Sequence, residues 1–230
     1  MPVSSDIPGG APGTGSPPRG ASAGTGAPPG TGAPPGTSAP RGRPRSQEAD
    51  RAILTATAEL LADRGLAAMS IEEVAARAGV GKATIYRRWP SKGLLALDAF
   101  VASFRQEQPQ PDTGTLRGDM LVTLHEWVRA VTQTPMGSML TGLIAEAQHD
   151  QELRGAWRDR VLEPLRHQRR IMLDRAMARG EIAPSVDQEV VLDMLFGAAE
   201  HRLLLGHLPM TDGFIADVVD VILAGIQRPG

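Results

Sequence analysis

The sequence predicts an all-α fold, and three observations carry that reading. From Ser46 onward apolar residues recur at helical spacing, and no stretch alternates with the two-residue period of a strand. Helix signals punctuate the chain: Ser70 with Glu73 three residues later, glycines at 65, 79 and 180, and prolines placed between periodic runs. Residues 1–40, by contrast, hold 10 of the 19 prolines and 10 of the 26 glycines and no aromatic residue, so they have almost nothing to bury. They are expected to form a disordered tail. The foldable remainder, about 190 residues, suffices for a sizeable core or two small helical domains. The prediction is an N-terminal three-helix helix-turn-helix domain over 46–92 and a larger helical domain over 93–230, about nine helices in all.

The tail carries a six-residue repeat, GTGAPP at Gly24–Pro29 and again at Gly30–Pro35, decaying to GTSAPR at Gly36–Arg41. A short period with prolines and no apolar positions builds no core, so a solvated spacer is expected. Residues 41–45, Arg-Gly-Arg-Pro-Arg, form a basic arm. A proline-fixed extended strand with Arg43 and Arg45 on either side suits a narrow A·T minor groove; a plain basic linker reads equally well.

The first helix is expected over Ser46–Arg64, with Ile53, Thr57, Leu60 and Leu61 on one stripe and Gly65 as its stop. Ser70 and Glu73 form a capping box for the second, whose apolar positions are Ile71, Val74, Ala75 and Ala78. Gly79 ends it, and a short helix at Lys82–Arg88 follows after Val80 and Gly81. Ser91 then caps a helix to about Gln106. Helices at 115–132 and 136–148 come next, with Asp112–Gly114 as a turn. Residues 150–179 read as one long helix that Pro164 kinks or divides. Helices at 187–205 and 211–226 complete the chain.

The short helix has an unusual surface. Ile85 and Trp89 make its only large apolar ridge, leaving ridges of Lys82/Tyr86, Ala83/Arg87 and Thr84/Arg88. Two arginines, a lysine and a tyrosine in seven residues suit a helix in a DNA major groove, reaching base edges and phosphates. Ser91 and Lys92 open the next helix, where a phosphate is favoured. Charge agrees: residues 41–92 carry 10 Lys/Arg against 6 Asp/Glu, while 93–230 carry 13 against 19. A basic segment ahead of an acidic body implies an anionic partner at one end.

The stretch Met69–Lys92, MSIEEVAARAGVGKATIYRRWPSK, resembles the DNA-binding domain of the TetR (tetracycline-repressor) family of transcriptional regulators. The small residue at the turn, the Thr-Ile-Tyr of the recognition helix and the aromatic before Ser-Lys carry the likeness. It implies DNA contact by Thr84, Tyr86, Arg87, Arg88 and Lys92, with Ser70 and Lys82 as phosphate neighbours. It also implies a homodimer on a palindromic double-stranded operator and a ligand-responsive body, more often a repressor. One departure is Arg87-Arg88 before Trp89, where most members place a second aromatic directly after the tyrosine.

In the body, Trp127, Met139, Leu143, Trp157, Met172 and Phe196 fall on helices that could surround a small-molecule effector, with His201 as a polar contact; core packing explains the same spacing. The last helix shows Ile215, Val218, Val219, Ile222 and Ile226 in one stripe, and Phe214, Val221 and Gly225 on an adjoining face. The preceding helix is similarly broad, with Val191 and Leu195 among its apolar positions. That surplus predicts a dimer interface, although enclosure in a single-chain core also fits.

Other classes are less favoured. With no cysteine, a disulfide scaffold, a Cys-ligated metal and a thiol nucleophile are excluded. The five histidines lack metal spacing, so no metal or cofactor is expected. Gly79–Thr84 only mimics a phosphate-binding loop, since Ala76 stands where the first Gly is needed and Ala83 where Ser or Thr is needed. No catalytic motif supports a helical enzyme, and a constitutive architectural DNA binder without a ligand is the remaining alternative. No apolar run is long enough to span a membrane and no leader is evident, so a cytoplasmic location is expected.

Overall fold

The computed structural model describes residues 43–104 and 110–226, so the expected tail, Arg41 and Gly42 lie outside the described residues. Ten α-helices and a π-helical turn make up the described chain, and no β-strand occurs in it. The first helix, α1 (Arg43–Ala68), begins earlier than Ser46. Arg43 and Arg45 therefore stand in its first turn, which corrects the expected extended arm. Pro44 permits this, because its fixed φ suits a helix start and its missing N–H has no partner there anyway. Gly65 breaks the helix as expected, at φ 73° and ψ 171°. Ile53, Thr57, Leu60 and Leu61 are all buried, and the Thr57 hydroxyl donates to the Ile53 carbonyl at 2.7 Å.

The next helices are α2 (Ile71–Ala78), α3 (Lys82–Tyr86) and α4 (Lys92–Phe104). Then come α5 (Leu116–Gln133), α6 (Met136–Ala147) and α7 (Gln151–Trp157). Side-chain oxygens of Thr115 and Asp150 cap α5 and α7. A π turn at Arg158–Leu162 joins α7 directly to α8 (Glu163–Arg179). Pro164 is the cause: it has no N–H, and its ring would collide with the carbonyl four residues back, that of Arg160. Widening the turn, with the Glu163 N–H bonded to the Arg158 carbonyl, lets the rod continue. The division expected at Pro164 takes this form, and counting the rod as one element restores nine helices. α9 (Gln188–Leu205), capped by Asp187, and α10 (Asp212–Ile226) complete the fold.

One continuous apolar core runs from Ile53 of α1 to Leu223 of α10. α1 and α4 both pack on α6, so the N-terminal helices and the body share it. Packing is close there, since a Cβ on Gly142 of α6 would lie 3.5 Å from the Leu66 Cβ.

A polar lock closes the other end. Asp119 is fully buried, and its Oδ1 accepts from the Thr113 N–H at 2.7 Å and the Thr113 hydroxyl at 2.8 Å. Arg175 and Arg179 of α8 each approach Oδ2 to 3.8 Å. Arg175 also donates to the Pro111 carbonyl, while Glu181 accepts from the Leu116 N–H at 2.7 Å.

The last two helices turn most of the expected dimer stripe toward the chain's own core. Val191, Leu195, Ile215, Val219 and Ile222 are buried within their own chain, and Val218 and Ile226 are half-buried. α10 packs on α5 and α9, and α9 packs on α5, α6 and α8. The strongest stripe therefore serves the chain's own core. A second apolar face points outward: Val190, Met194 and Leu205 of α9 are 52%, 46% and 63% exposed, and Val221 of α10 is 68% exposed.

Candidate nucleic-acid interface

The capping box that starts α2 is complete. The Ser70 hydroxyl accepts from the Glu73 N–H at 3.2 Å, and a Glu73 carboxylate oxygen accepts from the Ser70 N–H at 3.3 Å. The Ser70 hydrogen bonds hold the Glu73 carboxyl below its ordinary range. Gly79 takes the left-handed conformation at φ 67°, and the Val80 N–H bonds back to the Ala75 carbonyl at 3.0 Å. That turn joins α2 to α3 through only three residues, Gly79, Val80 and Gly81.

Ile85 and Trp89 seat α3, at 0% and 7% exposure, as their spacing predicts. Lys82, Ala83, Tyr86 and Arg87 are exposed, and Thr84 is half-buried at the edge of that face. Tyr86 is half exposed on a helix whose buried side is already filled. Lys82 donates to Glu72 at 2.8 Å, a hydrogen bond that raises the lysine pKa and lowers that of Glu72. Such an exposed pair is worth little in water, so the ammonium is readily surrendered to a phosphate.

The rest of the expected DNA set has internal tasks. Arg88 turns inward and pairs with Asp50 of α1, its side chain only 19% exposed. Lys92 donates to the carbonyls of Leu66 at 2.9 Å, Met69 at 3.3 Å and Ala67 at 3.4 Å, gathering the frayed end of α1. Ser70 is occupied by the capping box. The exposed set is thus Lys82, Tyr86 and Arg87, with Thr84 beside them.

A direct comparison follows. Arg87→Ala is expected to lower operator affinity by about 1–3 kcal/mol with the thermal midpoint unchanged, as for a base-reading side chain. Arg88→Ala should lower the midpoint, because it strands Asp50 without its cation. Binding isotherms and melting curves for the two variants decide it; indistinguishable behaviour contradicts the division.

Trp127, Met139, Leu143, Met172 and Phe196 are buried in the core, with Trp127 edge-on to Phe196 at 6.2 Å. The Arg169 guanidinium lies 3.4 Å above the Phe196 ring, and burial pushes its pKa down to about 10. Trp157 is half-buried against the same core and packs on Phe100 of α4, at 5.5 Å. His201 is exposed, its ring 5.1 Å from that of His207. A depression of about 630 Å³ lies elsewhere, between Asp50, Leu54 and Ala58 of α1 and Ala102 and Ser103 of α4. Among the described residues no group of three or more His, Asp or Glu could hold a metal ion, and no helix is long and apolar enough to cross a membrane.

Sequence reasoning overlooked Asp50 and Asp98, each the internal partner of a recognition-helix side chain. A signal existed for Asp98, which is the only charged residue in the apolar run from Gly93 to Phe104.

A tight helix-turn-helix presenting cationic and aromatic side chains, set on a helical body, defines a DNA-binding transcriptional regulator. Comparison with known proteins identifies the kind. Residues 53–99 match the model for bacterial regulatory proteins of the tetR family, and residues 110–222 match the tetracyclin repressor-like C-terminal domain. An uncharacterized HTH-type transcriptional regulator of Bacillus subtilis, YdeS, is 33% identical over 185 residues, covering 80% of this chain and 93% of that protein. The DNA-binding transcriptional repressor TetR of Mycobacteroides abscessus is 36% identical over 189 residues, covering 81% and 97%. The crystal structure of the TetR-family regulator SCO0332 superposes with a TM-score of 0.67 at 39% identity, over 79% of this chain and all of that one. The chain belongs to the TetR family of transcriptional regulators.

Proposed function

We propose that the protein is a homodimeric repressor that binds a palindromic operator and releases it when a small-molecule effector enters the helical body. The observation that carries the dimer is the outward apolar face of α9 and α10, where Val190, Met194, Leu205 and Val221 stand exposed. Apolar exposure of that kind, beside a core already closed by the inner stripe, suits pairing with the same surface of a second copy. Gly197, Ala198 and Gly225 lie along it and allow close helix approach. Two-fold pairing presents two α3 helices, and hence requires an inverted repeat in DNA. The repressor sense is supported by the Mycobacteroides abscessus relative, which carries that description.

Lys82, Thr84, Tyr86 and Arg87 are the major-groove set in this reading, and Arg43 and Arg45, in the first turn of α1, are further candidate DNA contacts. The protein acts in the cytoplasm and by binding alone. Selection of bound fragments from random DNA by the full chain tests the reading. Recovery of an inverted repeat with half-sites about one helical turn apart supports it. Recovery of a single asymmetric site overturns the dimeric operator.

A further inference from the structure

We propose that Asp98 is a positioning residue for operator binding, its carboxylate tying the end of the recognition helix to the π turn of the body. The Trp89 indole N–H donates to Asp98 Oδ2 at 2.8 Å, and the Arg160 guanidinium donates to Oδ1 at 2.9 Å. One carboxylate thereby joins three elements: the exit of α3, the middle of α4, and a turn 62 residues further along the chain. Each partner has a reason to be there. Trp89 is 7% exposed, and a buried indole N–H must find an acceptor. It shares its ridge with Ile85 and directly precedes Pro90, so its anchorage sets where α3 ends. Asp98 is the one charge on an otherwise apolar stretch of α4. Arg160 owes its position to Pro164, which forces the widened turn from Arg158 to Leu162.

The surrounding packing keeps this junction in register. A Cβ on Gly93 would fall 2.9 Å from Leu153 Cδ2, so α4 and α7 pack closely here, with the end of the Leu153 side chain against the Gly93 backbone. Further along α4, Phe100 packs on Trp157, the residue just before the π turn. Asp98 lies between these two contacts in sequence. The Arg160 side chain is half exposed, so its ion pair adds little to folding stability. Its value lies in geometry: without it, one carboxylate oxygen loses its fixed partner and the Trp89 anchor gains freedom. The π turn then has a direct polar connection to the helix that reads DNA. This inference rests on the DNA-binding role of α3 and is independent of any effector.

The test uses the full chain, a selected operator fragment and an unrelated fragment of equal length. Arg160→Met is expected to weaken operator binding about tenfold, with binding to unrelated DNA and the melting midpoint unchanged. The Trp89 indole resonance, assigned through Trp89→Phe, should move in the proton–nitrogen spectrum of Arg160→Met. Asp98→Asn should weaken operator binding as well, and the double variant should lose less than the product of the two single losses. Arg160→Met with wild-type operator affinity, an unmoved indole resonance, or strictly multiplicative losses would each overturn the proposal. An equal loss on both fragments, accompanied by a lower midpoint, assigns the junction to folding alone and overturns it too.

Discussion

Val221→Arg is expected to give a folded monomer whose operator affinity falls by about 10²–10⁴-fold, the range lost when two linked binding modules become one. Val221 is 68% exposed on α10, so an arginine there meets only water in the isolated chain. Across a two-fold contact the same arginine would face its own copy, placing like charges in an apolar seam. The buried neighbour supplies the control. Ile222 is 2% exposed, and Ile222→Arg should unfold the chain rather than dissociate it, because a charge forced into the core has no partner. Sedimentation and circular dichroism separate the two outcomes. A Val221→Arg protein that remains dimeric at micromolar concentration would move the interface off this face.

Asp119→Ala should destabilise the fold by about 3–5 kcal/mol, the penalty for removing one partner of a buried ion pair. For a chain of this size that corresponds to a fall in melting midpoint of about 6–20 °C. The carboxylate is fully buried, and its removal leaves the Thr113 N–H without its acceptor and two arginines facing an empty site. Arg175→Ala should cost less, since its side chain is 27% exposed and Arg179 still faces Asp119. No contact of Asp119 touches α2 or α3, so DNA affinity measured well below the midpoint should not change. A midpoint within 2 °C of wild type, against the fall of at least about 6 °C expected, would mean that the lock contributes nothing.

Where local chemistry alone decides, the sequence was readable. The Ser70–Glu73 box, the stop at Gly79 and the interruption at Pro164 all appear where their residues place them. Ile85 and Trp89 bury themselves as their four-residue spacing requires. Where two outcomes satisfy the same pattern, the sequence was mute. α9 and α10 carry apolar residues on two faces, and helical periodicity does not say which face meets α5 and which meets solvent. Arg88 shows the same difficulty on a smaller scale. α3 spans five residues, less than two turns, so its ridges wrap around it and a long side chain at the end can swing to either side. The choice fell to Asp50, 38 positions upstream, and no local rule reaches that far. Lys92 opens a helix, which locally favours a phosphate, whereas the end of α1 offers it three carbonyls.

The division of labour on α3 also bears on how such a regulator acquires new targets. Ile85, Arg88 and Trp89 fix the helix in place, while the side chains of Ala83, Tyr86 and Arg87 are exposed. Surface replacements away from structural contacts usually alter stability by less than about 0.5 kcal/mol. A duplicated copy of the gene can therefore sample most side chains at these three sites without losing its fold. Drift toward a different operator then passes through folded intermediates at every step. Substitutions at Asp50 or Arg88 close that route, because they loosen the mounting before any new sequence is read.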